Sequence, residues 1–127
     1  MRLRSLAVIM GILGLFIFGC GPKIEKFGDA PDESVAKTAI SSILLDPKKF
    51  IEKEVVIEGI ISSECPSGCW MNVRDNSEGT IYVEMLGNSF VPLPQRSGKA
   101  VLVKGTIFQS KSGSKQAKLF CKGLTIK

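Results

Sequence analysis

Apolar and polar positions alternate along most of the chain from residue 54 onward, and the alternation is broken by turn residues. Successive side chains of a strand point to opposite sides, so period-two alternation predicts half-buried strands. In Glu54–Ser62 the residues Val55, Ile57, Gly59 and Ile61 share one face. Trp70–Asp75 reads as a second strand, ended by the turn Asp75-Asn76-Ser77-Glu78-Gly79. Thr80–Leu86 is a third, with Ile81, Val83 and Met85 alternating. Gly87–Gly98 holds Pro92 and Pro94 and is expected as a loop or a short helical turn. Lys99–Gln109 and Gln116–Ile126 complete a set of five, joined by a hairpin over Ser110–Lys115.

Ahead of the strands the period changes. Val35, Ala36, Ala39, Ile40, Ile43 and Leu44 recur at helical spacing, which predicts a helix over Ser34–Leu45. Asp32 and Glu33 suit its positive end, and Asp46-Pro47 stops it, because the residue before proline is pushed out of the α region. Gly59, Gly105 and Gly123 fall inside strands, where glycine marks bulges or sharp bends. Five strands with a long third connection match a mainly β, OB-fold-like Greek-key barrel, here preceded by one N-terminal helix. A plain five-stranded sandwich is the alternative. The bend-forming glycines favour the barrel.

The N-terminus follows a different logic. Arg2 and Arg4 precede an almost wholly apolar run, Leu6–Phe18. That run is shorter than the roughly 20 residues a spanning helix needs, and reads as an export signal. Ile17-Phe18-Gly19-Cys20 resembles the lipobox of bacterial lipoproteins. The resemblance implies cleavage after Gly19 and lipidation of Cys20. Two or more acyl chains would give stable anchoring, where one gives only marginal binding. Gly21 after that cysteine, rather than aspartate, fits onward sorting to an outer membrane. The expected organisation is a signal over residues 1–19, a polar tether over 20–33, and a single OB-like domain over 34–127. The expected place is the cell envelope, lipid-anchored on the periplasmic or the outer-surface face of a bacterial membrane.

Charge and composition narrow the function. The formal charge of +5 includes Arg2 and Arg4, which leave with the signal, so the mature excess is mild. No strong basic stripe of the kind nucleic-acid binders carry is visible. Trp70, Tyr82, Phe108 and Phe120 could stack bases, but an exported domain would not meet them. Lys111, Lys115, Lys118 and Lys122 lie around a Ser/Gly turn, which is a solvated hairpin tip or a contact for anionic lipid head groups. The absence of histidine excludes His-based catalytic dyads, His-ligated haem and His-containing zinc sites. There is no phosphate loop, nucleophile elbow or dinucleotide fingerprint, and nothing argues for an enzyme.

The segment that carries chemistry is Glu64-Cys65-Pro66-Ser67-Gly68-Cys69-Trp70-Met71. It joins the first two strands of the expected barrel, on the rim that binds ligands in OB-folds, with Glu64 and Trp70 as rim contacts. Three readings stand open. Cys65, Cys69 and either Met71 or Cys121 could hold a soft metal such as Cu(I), because thiolate and thioether favour it. Zinc would need Cys65, Cys69, Cys121 and a carboxylate such as Glu64. Alternatively, Cys65 and Cys69 form a disulfide, the usual fate of close cysteines in an oxidising compartment. In the third reading all are structural, with Cys121 a small core residue.

The run Cys65-x-x-x-Cys69-Trp70-Met71 follows a strand ending in Gly59 and precedes Phe90-Val91-Pro92 and Gly98-Lys99-Ala100-Val101. This resembles a family of small exported bacterial OB-like proteins, some labelled as accessory to cytochrome c nitrite reductase. The resemblance implies fold and export and implies no activity. Two functions of different class follow: a membrane-tethered copper carrier, or an adaptor for an envelope protein complex stapled by Cys65–Cys69.

Overall fold

A computed structural model describes residues 19, 23–111, 113 and 115–127. The expected signal up to Phe18 and the lipidation residue Cys20 lie outside the described residues. Among the described residues no helix is long and apolar enough to cross a membrane.

The elements in chain order are β1 (Glu25–Gly28), α1 (Ile40–Leu45), a 3-10 turn (Pro47–Lys49), β2 (Glu54–Glu64), β3 (Trp70–Arg74), β4 (Thr80–Glu84), β5 (Ala100–Gln109) and β6 (Ala117–Ile126). The last five strands are those expected from the alternation, with ends displaced by at most two residues. Round the barrel they run β2-β3-β4-β6-β5, and β5 pairs back to β2. All pairs are antiparallel except β4 with β6, which is parallel and closes the barrel. The result is a mainly β, mixed, closed five-stranded barrel of the OB type.

Alternation places the inward residues as expected. Ile57, Ile61, Val73, Val83, Ile107 and Leu119 are fully buried, and all belong to one continuous core. Burying an aliphatic side chain of this size contributes about 1.5–3 kcal/mol. Two register shifts bend the wall, one in β2 between Ile61 and Ser63 and one at Lys104/Gly105 against β6. Gly105 sits at the second, where a Cβ would collide with the Phe120 backbone and the Leu119 side chain. The expected bend there is a place of close strand approach that only glycine permits.

Two departures matter for function. Part of the stretch expected as a polar tether is a strand: Glu25–Gly28 pairs antiparallel with Gly123–Ile126. β6 is long enough to offer this edge, because β4 covers only Lys118–Phe120. Hydrogen bonding to an open edge outweighs the polar composition of β1. The second departure is that the helix begins at Ile40, not Ser34. Residues before it run extended along the barrel, with Thr38 N–H donating to Val56 C=O (2.8 Å) and Thr125 Oγ1 to Pro31 C=O (2.9 Å).

The helix starts late because its cap comes from elsewhere. Ile40 N–H donates to the Asp75 carboxylate (2.8 Å), and Ser41 N–H to Ser77 Oγ (3.0 Å). The turn between β3 and β4 thus satisfies the exposed first N–H groups of α1, the role usually taken by a local N-cap. Asp75 is thus a structural acceptor. Burial alone would raise its pKa, but the Ser77 hydroxyl and the Ile40, Ser77 and Gly79 amides together hold it below its ordinary value. Ile40 and Ile43 then close this end of the barrel, both fully buried.

Candidate functional site

The other end of β3 carries the cysteine loop. Cys65 and Cys69 are joined by a disulfide with Cα atoms 5.5 Å apart. A turn closed by Gly68 N–H to Cys65 C=O (2.9 Å) brings them together, and Cys65 N–H donates to Trp70 C=O (2.9 Å). Gly68 adopts φ +78°, which L side chains rarely take, and a Cβ there would strike Val91 and the Pro92 carbonyl. The Ser67 hydroxyl lies 3.2 Å from Cys65 Sγ. Of the three readings left open for this pair, the structure forms the disulfide.

The metal set is not assembled. The two rim sulfurs are bonded to each other and offer no thiolate. Met71 points into the core at 2% exposure. Cys121 is fully buried opposite Gly105, and burial pushes its thiol up to about 12, so it stays protonated at neutral pH. Among the described residues no group of three or more cysteine or acidic side chains is placed to hold a metal ion. In this disulfide form the residues do not fit copper, nor the zinc set built from the three cysteines and Glu64.

Glu64 faces the rim as expected, but its role is internal. Its carboxylate accepts from Arg96 N–H (2.6 Å), Ser97 N–H (3.1 Å) and the Ser97 hydroxyl (3.2 Å). Arg96 in turn makes a forked pair with Glu25 on β1, at 2.7 and 2.9 Å. Fork-to-fork guanidinium–carboxylate pairs are geometrically specific as well as strong. The Arg96 hydrogen bonds hold the Glu25 carboxyl below its usual range, helped by the charges of Lys99 and Lys23. Phe27 of β1 stacks on Phe90 with centroids 6.2 Å apart. The segment 90–96 is thereby fixed along β1, and through Pro92 it supports the cysteine loop.

Trp70 lies on the outer surface of β3, opposite in direction to Met71. It stacks on Tyr82 of β4, with centroids 5.8 Å apart and ring planes at 27°. The strand register makes this a diagonal pair, since Trp70 faces Glu84 and Asn72 faces Tyr82. Lys118 Nζ sits 5.0 Å from the Tyr82 ring centre, a cation–π distance. The Tyr82 hydroxyl donates to Glu84 (3.4 Å), and burial together with the Glu84 charge raises its pKa. The chain has one tryptophan and one tyrosine, and the fold stacks them together on a half-buried outer face. Trp70 follows the cysteine loop directly, and Lys118 follows the β5–β6 hairpin. The sequence pointed to Trp70 and named Tyr82 only as one of several aromatics. Their pairing depends on cross-strand register, which no local signal encodes.

The four lysines grouped by sequence do not act together. Lys118 covers Tyr82, while Lys122 bridges to Glu54 (3.0 Å). Lys111 and Lys115 are exposed in the hairpin.

No protein-family model matches the chain, and no curated protein matches it. Solved structures do. A chain described as an aspartyl-tRNA synthetase from Leishmania major Friedlin aligns with TM-score 0.59 and 18% identity, over 77% of this chain and 22% of that one. The aspartyl-tRNA synthetase from Entamoeba histolytica gives 0.60 and 12%, over 79% and 23%. The hypothetical protein YgiW from E. coli gives 0.52 and 19%, over 80% of this chain and 97% of that one. The fold is OB-like. At these identities the likeness shows the fold alone. This chain spans under a quarter of the two synthetases and nearly the whole length of YgiW.

Proposed function

We propose that this chain is a lipid-anchored binding module of the bacterial envelope. In this reading it is an adaptor rather than an enzyme or a metal carrier, and its partner is an envelope protein that docks on the Trp70/Tyr82 face. The observation that carries the reading is the stacked Trp70–Tyr82 pair under Lys118. It occupies the outer face of the second and third barrel strands, beside the loop joining the first two. OB-folds bind their ligands on that face and its flanking loops. Tryptophan, tyrosine and cationic side chains are also the groups that dominate protein interfaces. The disulfide supports the same reading, since it fixes the loop bordering the face. Anchoring at Cys20 rests on the lipobox-like sequence.

The copper-carrier reading requires a reduced Cys65–Cys69 pair and a Met71 drawn out of the core. A thiol and metal count on the mature protein, purified from the envelope without reductant or chelator, separates the two. One free thiol, from Cys121, and no copper is the adaptor's result. Three free thiols with one equivalent of copper, lost in Cys69→Ser, would establish the carrier. Met71→Leu gives a second reading: a volume-conserving swap leaves an adaptor working and weakens a copper site. Docking is tested with a photo-crosslinking residue at Tyr82 and, as control, at Asn76 in the turn between β3 and β4. A discrete adduct with one envelope protein from position 82 alone is expected. Equal adducts from both positions would remove the face from consideration.

A further inference from the structure

The strand β1 changes how far the domain can stand from its anchor. Only residues 21–24 separate the lipidation position from Glu25, five steps along the chain, and a chain extends by at most about 3.6 Å per residue. The N-terminal end of β1 therefore lies within about 18 Å of Cys20, less than the width of a small domain. β1 is not free to swing, because it is paired along β6, forked to Arg96 and stacked through Phe27 on Phe90.

Apolar side chains stand exposed at this end, as Leu45 does on α1 and Leu86 after β4. Ile24 is 57% exposed, Val91 44% and Leu93 74%. Ile24 adjoins β1, and the segment that carries Val91 and Leu93 is tied to that strand at Phe27 through Phe90 and at Glu25 through Arg96. Lys23 and Lys99 are exposed around them and lie near enough to Glu25 for their charges to act on it. Apolar side chains ringed by lysine suit the interface of an anionic bilayer, where the apolar groups enter the head-group boundary and lysines meet lipid phosphates.

We propose that this end of the barrel, through Ile24, Val91 and Leu93 with Lys23 and Lys99, seats directly on the lipid surface to which Cys20 is anchored. The proposal rests on the anchor reading above, and adds a fixed orientation to it. The domain does not hang from a flexible stalk. It stands on its rim, with the α1 end pointing away from the membrane and the Trp70/Tyr82 face at its side, open to a partner.

The test uses the full lipidated protein reconstituted in vesicles of phosphatidylethanolamine and phosphatidylglycerol. An environment-sensitive fluorophore is attached at Leu93→Cys and, separately, at Asn76→Cys. Cys65 and Cys69 are bonded and Cys121 is buried and protonated, so the introduced thiol takes the label. The expected result is a blue-shifted label at position 93, shielded several-fold from aqueous iodide and quenched by spin-labelled lipid. The label at 76 stays open to iodide. Replacing phosphatidylglycerol by phosphatidylcholine should weaken the shielding. Mass spectrometry of the same sample reports whether Cys20 is acylated. If Cys20 is acylated and position 93 is as open to iodide as 76, the seating is overturned and the anchor stands. Absence of the acyl group overturns the anchor, and the seating with it. Shielding of position 93 in native envelopes but not in pure lipid would also overturn it, in favour of a protein occupant.

Discussion

The two ends of the barrel, joined by β3, are closed by opposite means. At the Arg74 end, α1 drops Ile40 and Ile43 into the core and is capped from across the fold by Asp75. At the Trp70 end no helix among the described residues plays that part, and Phe27 and Phe90 pack on the core instead. A disulfide, the Glu64 clamp on Arg96 and Ser97, and the Arg96–Glu25 fork hold the loops in place. Val91 and Leu93 remain in water there. Apolar burial closes one end and makes it a foundation. The other end relies on covalent and polar ties beside the Phe27–Phe90 stack, and leaves Val91 and Leu93 free to contact something else.

That contrast can be broken in order of effect. Ile43→Ala removes a fully buried plug residue and should cost about 3 kcal/mol, read as a lower denaturant midpoint at unchanged slope. Replacing both Cys65 and Cys69 by serine should cost about 2 kcal/mol, because the closed ring is short. Its larger consequence should be weaker crosslinking through position 82, as the loop bordering the face loosens. The larger loss of stability from Ile43→Ala should leave the crosslink intact in the folded fraction.

Asp75→Ala should cost about 1 kcal/mol, the usual worth of a lost helix cap. Its pH dependence has a definite sign. The folded pKa lies below the ordinary carboxylate value, so the contribution is full above that value and is lost as pH falls through the lowered one. A stability profile through the acid range should therefore fall less steeply in Asp75→Ala than in the parent. Identical slopes would mean that the carboxylate does not carry the cap. Smallest in stability is Leu93→Asp, expected within about 0.5 kcal/mol of the parent, since the side chain is exposed. Lipid shielding at the rim should nonetheless fall. A large stability loss from this variant would show that Leu93 belongs to the closed end's logic after all.

Legibility followed the range of the interactions. The five barrel strands were readable because alternation is a local signal, and each inward side chain has a polar neighbour to contrast with it. β1 was not, because Glu25–Gly28 has no apolar pattern of its own and owes its strand state to the free edge of β6. The start of α1 was misplaced for the same reason: its cap lies in the β3–β4 turn, far along the chain from Ile40. At the rim, the sequence put two cysteines in reach of each other but left open whether they hold a metal, bond to each other or are merely buried. It also placed Met71 away from Trp70 without revealing that its face was the core. Glu64 was named as a rim residue, yet its acceptor role needed Arg96 and Ser97, which only the closed barrel brings near.

β6 also has a mechanical meaning. It borders β5 along its full length, β4 over one half and β1 over the other. A pull arriving at the N-terminal end of β1 is resisted by ladder hydrogen bonds acting together, with the Arg96 fork and the Phe27–Phe90 stack as braces. From β6 the load divides between β4, which bears Tyr82, and β5, which bears the opposite wall. Tension entering at β1 thus reaches the aromatic face through three paired strands without crossing a loop, and a partner gripped there would feel that tension along a stiff beam.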